Sequence, residues 1–214
     1  MYTAFRNALL LAAATYALAA CKKDDDATPV TAAGQANTVS VLSAAGTTSS
    51  TGQPVAAKHY TFFSLADNKQ VAYTDSNSTK WDVAFRGTTI LLNGGTSGPG
   101  QGGAQVLSDK LFAEVIAAPT SGYAVDAASG YAIPAGSGKG WYSYDATTHL
   151  ITPTAGKVLA LRTATGKYAK MEIQSYYKNA KGEPIMGTPT GTDVNNYGYY
   201  TFRYVYQPSG TSLQ

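Results

Sequence analysis

From Lys58 onward, short runs set large apolar side chains at every second position, the spacing of a β-strand with one buried face. His59–Ser64 is such a run, and the turn-forming Ala66-Asp67-Asn68-Lys69 follows it. Trp81–Phe85 alternates in the same way, and Thr88–Asn93 is β-branched and apolar. Val158–Thr163 and Tyr168–Ile173 flank Ala164-Thr165-Gly166-Lys167, a hairpin signal in which Gly166 supplies the positive φ. Along the second of these strands Ala169, Met171 and Ile173 share one face; Tyr168, Lys170 and Glu172 share the other. Tyr199–Tyr206 is the most strand-like run of all. Leu111, Phe112 and Val115 recur at helical spacing with Pro119 just beyond, which predicts one short helix over Asp109–Ala117. Many short strands parted by Gly, Pro, Asn and Thr predict an all-β fold, an antiparallel β-sandwich or open barrel with that single helix.

Upstream the pattern changes. Arg6 precedes an apolar run, Ala8–Ala20, that is short for a bilayer span and suits the core of a signal peptide. The run ends Leu18-Ala19-Ala20-Cys21, which resembles the bacterial lipobox. That resemblance implies cleavage before Cys21, a diacylglycerol on its thiol and acylation of the new amine. Such an anchor holds by about 0.8 kcal/mol per buried methylene. The plainer alternative is a free or buried cysteine behind an ordinary signal sequence. Residues 21–57 are rich in Ala, Thr, Ser, Gly and Val and contain no aromatic residue, so they read as a flexible, disordered tether. Within them Thr38–Leu42 alone has strand character. The expected organisation is therefore a signal peptide over 1–20, the acylated Cys21 and tether over 21–57, a domain over 58–208 and a tail over 209–214.

Composition narrows the chemistry. A net charge of +3 with 14% charged residues makes no case for nucleic acid as a partner. One Cys excludes an internal disulfide framework and a Cys-based metal site within one chain, and two His exclude a His-rich metal cluster. The sequence has no Gly-x-Ser-x-Gly elbow, Walker loop or His-Glu-x-x-His, and nothing pairs a nucleophile with a base, so no enzyme is expected. The glycine-rich stretch Asn93–Gly103 lacks the Lys-Ser/Thr ending of a phosphate loop and reads as a segment of close backbone approach. His59 and His149 are each a ligand or a surface histidine. Asp82, beside Trp81, is suited to bonding backbone amides in a structural turn. Met171 falls on a core face; Met186, in the loop Gly182–Gly187, is a soft thioether ligand or a packing anchor. Tyr60, Tyr142, Tyr144, Tyr176, Tyr177, Tyr197, Tyr199 and Tyr200 line a pocket for a flat ligand or form the skin of a sheet.

Three segments in order carry a resemblance: Trp81–Arg86 with Thr89–Asn93; Gly95–Ala104 continuing through Phe112–Pro119 to Gly122-Tyr123; and Val158–Ala169, with its Thr-Gly-Lys turn, continuing to Tyr176-Tyr177 and the tyrosine-rich last strand. Together, behind the lipobox, they resemble the HmuY family of haem-binding lipoproteins, common in Bacteroidota, over residues 58–208. The resemblance implies an all-β fold, a lipid anchor at the bacterial outer membrane or cell surface, and haem or porphyrin delivered to a TonB-dependent outer-membrane receptor. The side chains it points to are His149, Met186, Tyr142 and Tyr144, with His149 on the haem iron. Haem-binding members use two axial side chains from loops, His/His in some and Met in others. Here the loop over residues 127–140 contains no His and no Met. A lone imidazole would give five-coordinate haem with a Tyr or water opposite. The alternative is an envelope lipoprotein of the same fold without haem, its aromatic face taking a glycan, a peptide or a partner protein.

Overall fold

The computed structural model describes residues 34–48, 50 and 54–214. The expected signal peptide, the lipidation site Cys21 and much of the expected tether lie outside these residues. The strands are β1 Ala36–Ser43, β2 Thr47–Thr48, β3 Pro54–Val55, β4 Thr61–Ser64, β5 Lys69–Val71, β6 Val83–Arg86, β7 Thr89–Leu92, β8 Gly103–Leu107, β9 Tyr142–Tyr144, β10 Ile151–Pro153, β11 Val158–Arg162, β12 Tyr168–Tyr177 and β13 Tyr197–Gln207. They form a five-stranded sheet, β1-β13-β12-β11-β8, and a four-stranded sheet, β5-β4-β6-β7, with two-stranded ladders β9–β10 and β2–β3. All pairings between these strands are antiparallel. The two large sheets stay open at their edges, so the architecture is a sandwich and not a closed barrel.

The alternation read from sequence is what closes the sandwich. Ala169, Met171 and Ile173 of β12 face inward and are buried with Leu159 and Leu161 of β11. Phe63, Val83, Phe85, Ile90 and Leu92 approach from the four-stranded sheet. Aromatic rings join the layers: Phe63 meets Phe202 edge-on at 5.6 Å, and Phe85 stacks on Phe202 at 5.4 Å. Tyr204 crosses the core and donates its hydroxyl to the Leu65 carbonyl, 3.0 Å away. The hairpin between β11 and β12 forms as expected, with Gly166 at φ +76°.

Two buried side chains tie the loops to this core. Asp82 accepts the N–H of Leu65 at 2.8 Å and of Ala164 at 3.0 Å, with Ala66 as a further backbone donor. It binds backbone amides, as its sequence setting allows, but those of two distant loops and not of a local turn. Asn93 donates to the carbonyls of Ser78 (2.8 Å) and Trp81 (2.7 Å), while its own side-chain oxygen accepts from Gly100. The glycine-rich stretch wraps around Asn93. A Cβ on Gly98 would collide with Asn93 Oδ1, and one on Gly102 would lie 2.6 Å from the Asn93 carbonyl oxygen. Glycine is needed there because backbone passes where a side chain would be.

Three sequence-based boundaries are corrected. Ala36–Ser43, assigned to the tether, is the edge strand of the five-stranded sheet, paired along β13 with a register shift between Val39 and Leu42. It lacks aromatic residues, but β13 offers a long edge, and Leu42 and Ala44 enter the core. The expected helix over Asp109–Ala117 is only a 3-10 turn, Phe112–Glu114. The carbonyls a helix would have used are taken: Lys170 Nζ donates to Phe112 and Val115, both at 2.9 Å, and Leu213 N–H donates to Ile116. The expected tail over 209–214 belongs to the domain, because Leu213 is fully buried with Phe112, Val115, Ala118, Val158 and Val205 in a second core on the outer face of the large sheet. That cover buries Lys170, and burial, with Arg203 nearby, holds its amine below the ordinary lysine value.

Tyr123 yields a stability prediction. Its ring lies beside Tyr168 with the Arg162 guanidinium over it, and its hydroxyl is buried without a hydrogen-bond partner among the described residues. Burial pushes the phenol from 10.0 up to about 12. A phenol raised in the folded state contributes stability that is present below pH 10 and lost as pH climbs through 12. Tyr123→Phe should therefore leave neutral-pH stability unchanged or raised by up to about 1 kcal/mol. It should also flatten the loss between pH 10 and 12, read from denaturant midpoints. A destabilised variant with an unchanged alkaline slope would contradict this.

Candidate functional site

The ladder β9–β10 stands at the margin of the core, and the segment joining its strands carries His149. Asp145 opens that segment: its carboxylate accepts the N–H groups of Thr147 (2.7 Å) and Thr148 (2.9 Å), and its own N–H bonds to the Leu150 carbonyl. Those two donors hold the Asp145 carboxyl below its ordinary range. The turn forces His149 to φ +58°, a left-handed conformation that His tolerates better than β-branched residues do. Its Nδ1 lies 2.7 Å from the Tyr144 hydroxyl, which leaves Nε2 outside that bond. The imidazole is exposed.

His149 and Tyr144 form one wall of a cleft of about 450 Å³. Leu150 and Ile151 continue that wall, Tyr177 and Tyr197 come from the large sheet, and Val194 and Asn195 come from the 3-10 turn Gly191–Asn195. Tyr177 fixes the arrangement, because its hydroxyl accepts the Ile151 N–H at 2.9 Å and so ties β10 to β12. Burial raises the Tyr177 phenol, with that N–H acting in the opposite direction. A smaller recess of about 190 Å³ adjoins the cleft and shares Ile151 and Tyr177 with it. Met186 lines this recess and is 59% exposed. Its loop is held by the Ile185 N–H on the Tyr177 carbonyl and by Ser175 Oγ on the Ile185 carbonyl.

Of the side chains named from sequence, Tyr144 and His149 come together and Met186 occupies the neighbouring recess. Tyr142 does not line either: it is 8% exposed and packs against Trp141, ring centroids 4.9 Å apart. Alternation puts residues 142 and 144 on one face of β9, so the difference is one of position along the strand: Tyr142, at its start, packs in the core, while Tyr144, at its end, lies beyond it and is 44% exposed. His59 is elsewhere, its ring tilted against that of Tyr73 with centroids 3.8 Å apart. Among the broader tyrosine set, Tyr177 and Tyr197 reach the cleft, while Tyr200 is wholly buried. Leu150, Val194 and Asn195 were not singled out from sequence; nothing in their own spacing marks them, and only the approach of the 191–195 turn gives them a role.

This combination defines a class: a two-sheet antiparallel sandwich that carries a ligand-sized recess between a short hairpin and the loops beside its longest strands. The model of the HmuY family, described as HmuY protein, matches residues 56–189, more than half of the chain. The chain belongs to the HmuY family. No curated protein matches it in sequence. Among solved structures it is similar to a Bacteroides fragilis NCTC 9343 protein named as a lipoprotein, at 20% identity and a TM-score of 0.50, covering 83% of this chain and 92% of that one. It is also similar to a Bacteroides vulgatus ATCC 8482 protein named as HmuY-like and haem-binding (18% identity, TM-score 0.49, 82% and 94% covered). A third is an apo HmuY analog of Tannerella forsythia (16%, TM-score 0.44, 82% and 96%). At these identities the likeness concerns the fold.

Proposed function

We propose that the protein is a lipid-anchored haem- or porphyrin-binding protein of the bacterial outer membrane or cell surface, non-enzymatic, which hands its ligand to a TonB-dependent outer-membrane transporter. Membership of the HmuY family supports the reading, as does the name of one structural neighbour, a lipoprotein. The single observation that carries it is the imidazole of His149 at the edge of a cleft with tyrosine and aliphatic walls. The donor set fits an iron porphyrin. Leu150, Ile151, Val194 and the rings of Tyr177 and Tyr197 offer an apolar slot, and His149 Nε2 offers a ring nitrogen. Tyr144 at Nδ1 is the outer partner that orients a ligating imidazole. Met186 adds a thioether beside the same wall. When bound, the group supplies a Lewis-acidic iron for these side chains to ligate. The chain's own contribution is to orient one imidazole, exclude water with aliphatic side chains and keep the slot open to an acceptor. Cys21 would carry the acyl anchor.

Titrating the protein with haemin tests this. A shifted Soret band that His149→Ala removes supports ligation; a spectrum identical to free haemin overturns it. The second reading, a family member without haem that binds a glycan, peptide or partner protein, is favoured by one observation. The 127–140 segment, where a second axial side chain would fall, has neither His nor Met.

A further inference from the structure

We propose a second binding site, for a neutral oligosaccharide, on the outer face of the four-stranded sheet. It shares no residue with the His149 cleft and does not depend on the haem reading. The site is an open groove of about 420 Å³, within the size range of small-ligand sites. Its floor is Tyr60, Phe62 and Leu91, and its walls are Ser76 and Asn77 on one side and the 95–99 glycine loop, with Thr96 and Ser97, on the other.

Three features point to a sugar. First, no charged side chain lines the groove among the described residues, and the Arg86 guanidinium beside it is engaged on the Tyr60 ring. Second, Asn77, Thr96 and Ser97 present one amide and two hydroxyls, none with a hydrogen-bond partner among the described residues. They offer both donors and acceptors, which is what sugar hydroxyls require. Third, these groups surround aromatic rings, and the apolar C–H face of a pyranose packs on such rings while its rim of hydroxyls meets the walls. A peptide would instead seek the unpaired backbone of a sheet edge, whereas this groove runs over a sheet face.

The walls are also fixed in advance, which lowers the ordering cost of binding. Trp81 Nε1 donates to the Ser76 carbonyl at 2.9 Å. The opposite loop is held by Thr96 N–H on the Asp126 carbonyl at 2.8 Å and by Gly100 N–H on Asn93 Oδ1. The Arg86 guanidinium lies 4.2 Å from the centroid of the Tyr60 ring and holds its plane.

The test is saturation-transfer NMR on the protein with maltohexaose, cellohexaose, mannohexaose and xylohexaose at millimolar concentration. Transfer to sugar ring protons is expected with at least one of them. Asn77→Ala, an exposed change that removes no internal bond, should weaken binding about fivefold, the worth of one hydrogen bond. Tyr60→Ala should weaken it further, and His149→Ala should leave it unaltered. No transfer to any of these sugars would overturn the proposal, and so would transfer that both Asn77→Ala and Tyr60→Ala leave intact.

Discussion

If the protein binds haemin as proposed, His149→Ala should remove the ligand bands that haemin acquires on binding, and Tyr144→Phe should weaken binding while keeping them. The two outcomes differ because the side chains act at different distances from the iron. His149 Nε2 would be the ligating atom; Tyr144 touches only Nδ1, at 2.7 Å, and acts as a positioning residue. Losing an outer partner of a metal-ligating His costs about tenfold to a hundredfold in affinity, so Tyr144→Phe should fall in that range. Losing the ligand itself should cost at least as much and abolish the shifted Soret band. A structural role for Tyr144 alone would lower thermal stability without moving haemin affinity, which separates the two readings. If Met186→Ala instead removes the bands and His149→Ala does not, the iron belongs in the smaller recess.

Asp82→Ala should destabilise the domain by about 3–5 kcal/mol. The carboxylate is 6% exposed and accepts backbone donors from two separate loops, at Leu65 and Ala164. Alanine leaves those buried N–H groups without acceptors, each worth about 1–3 kcal/mol. Asp82→Asn keeps the shape but turns an amide N–H toward a donor, so its cost should be intermediate. The pH dependence carries a definite sign. Burial raises the Asp82 carboxyl above its ordinary 3.8, against the pull of its N–H partners. Its linkage contribution is therefore fully present below that value and is lost as pH rises through the higher folded-state value. Denaturant midpoints of the wild type and Asp82→Asn across the acid range measure the difference. A cost below about 1 kcal/mol for Asp82→Ala would show that solvent replaces the carboxylate.

The strand pairings show how far local pattern reaches. Tyr168–Ile173 announced both its faces: Met171 lies in the core, and Lys170 lies on the other side. Yet Lys170 is as buried as many core residues, because a segment more than fifty residues earlier covers it through the Phe112 and Val115 carbonyls. The helical spacing at Leu111, Phe112 and Val115 was genuine apolar patterning, but the burial it serves is against β12 and β13 in a 3-10 turn and extended chain. β1 is the faintest strand in the sequence, with strand character only over Thr38–Leu42 of the expected tether; its partner, β13, lies some 160 positions away, as the bond from Val41 N–H to Thr201 Oγ1 illustrates.

Sequence alone settled the all-β class, the inward faces of the principal strands, the close backbone approach of the glycine stretch and the family resemblance. These are properties of neighbouring residues, where side-chain period and backbone freedom act over a few bonds. The tertiary structure decided the rest: that Tyr144 and His149 share a wall with Tyr177, that Tyr142 turns into the core, and that Met186 faces a separate recess. A cleft is made by surfaces from distant parts of the chain meeting at one place. No period along the chain encodes that meeting; the packing of one sheet, one hairpin and one turn does.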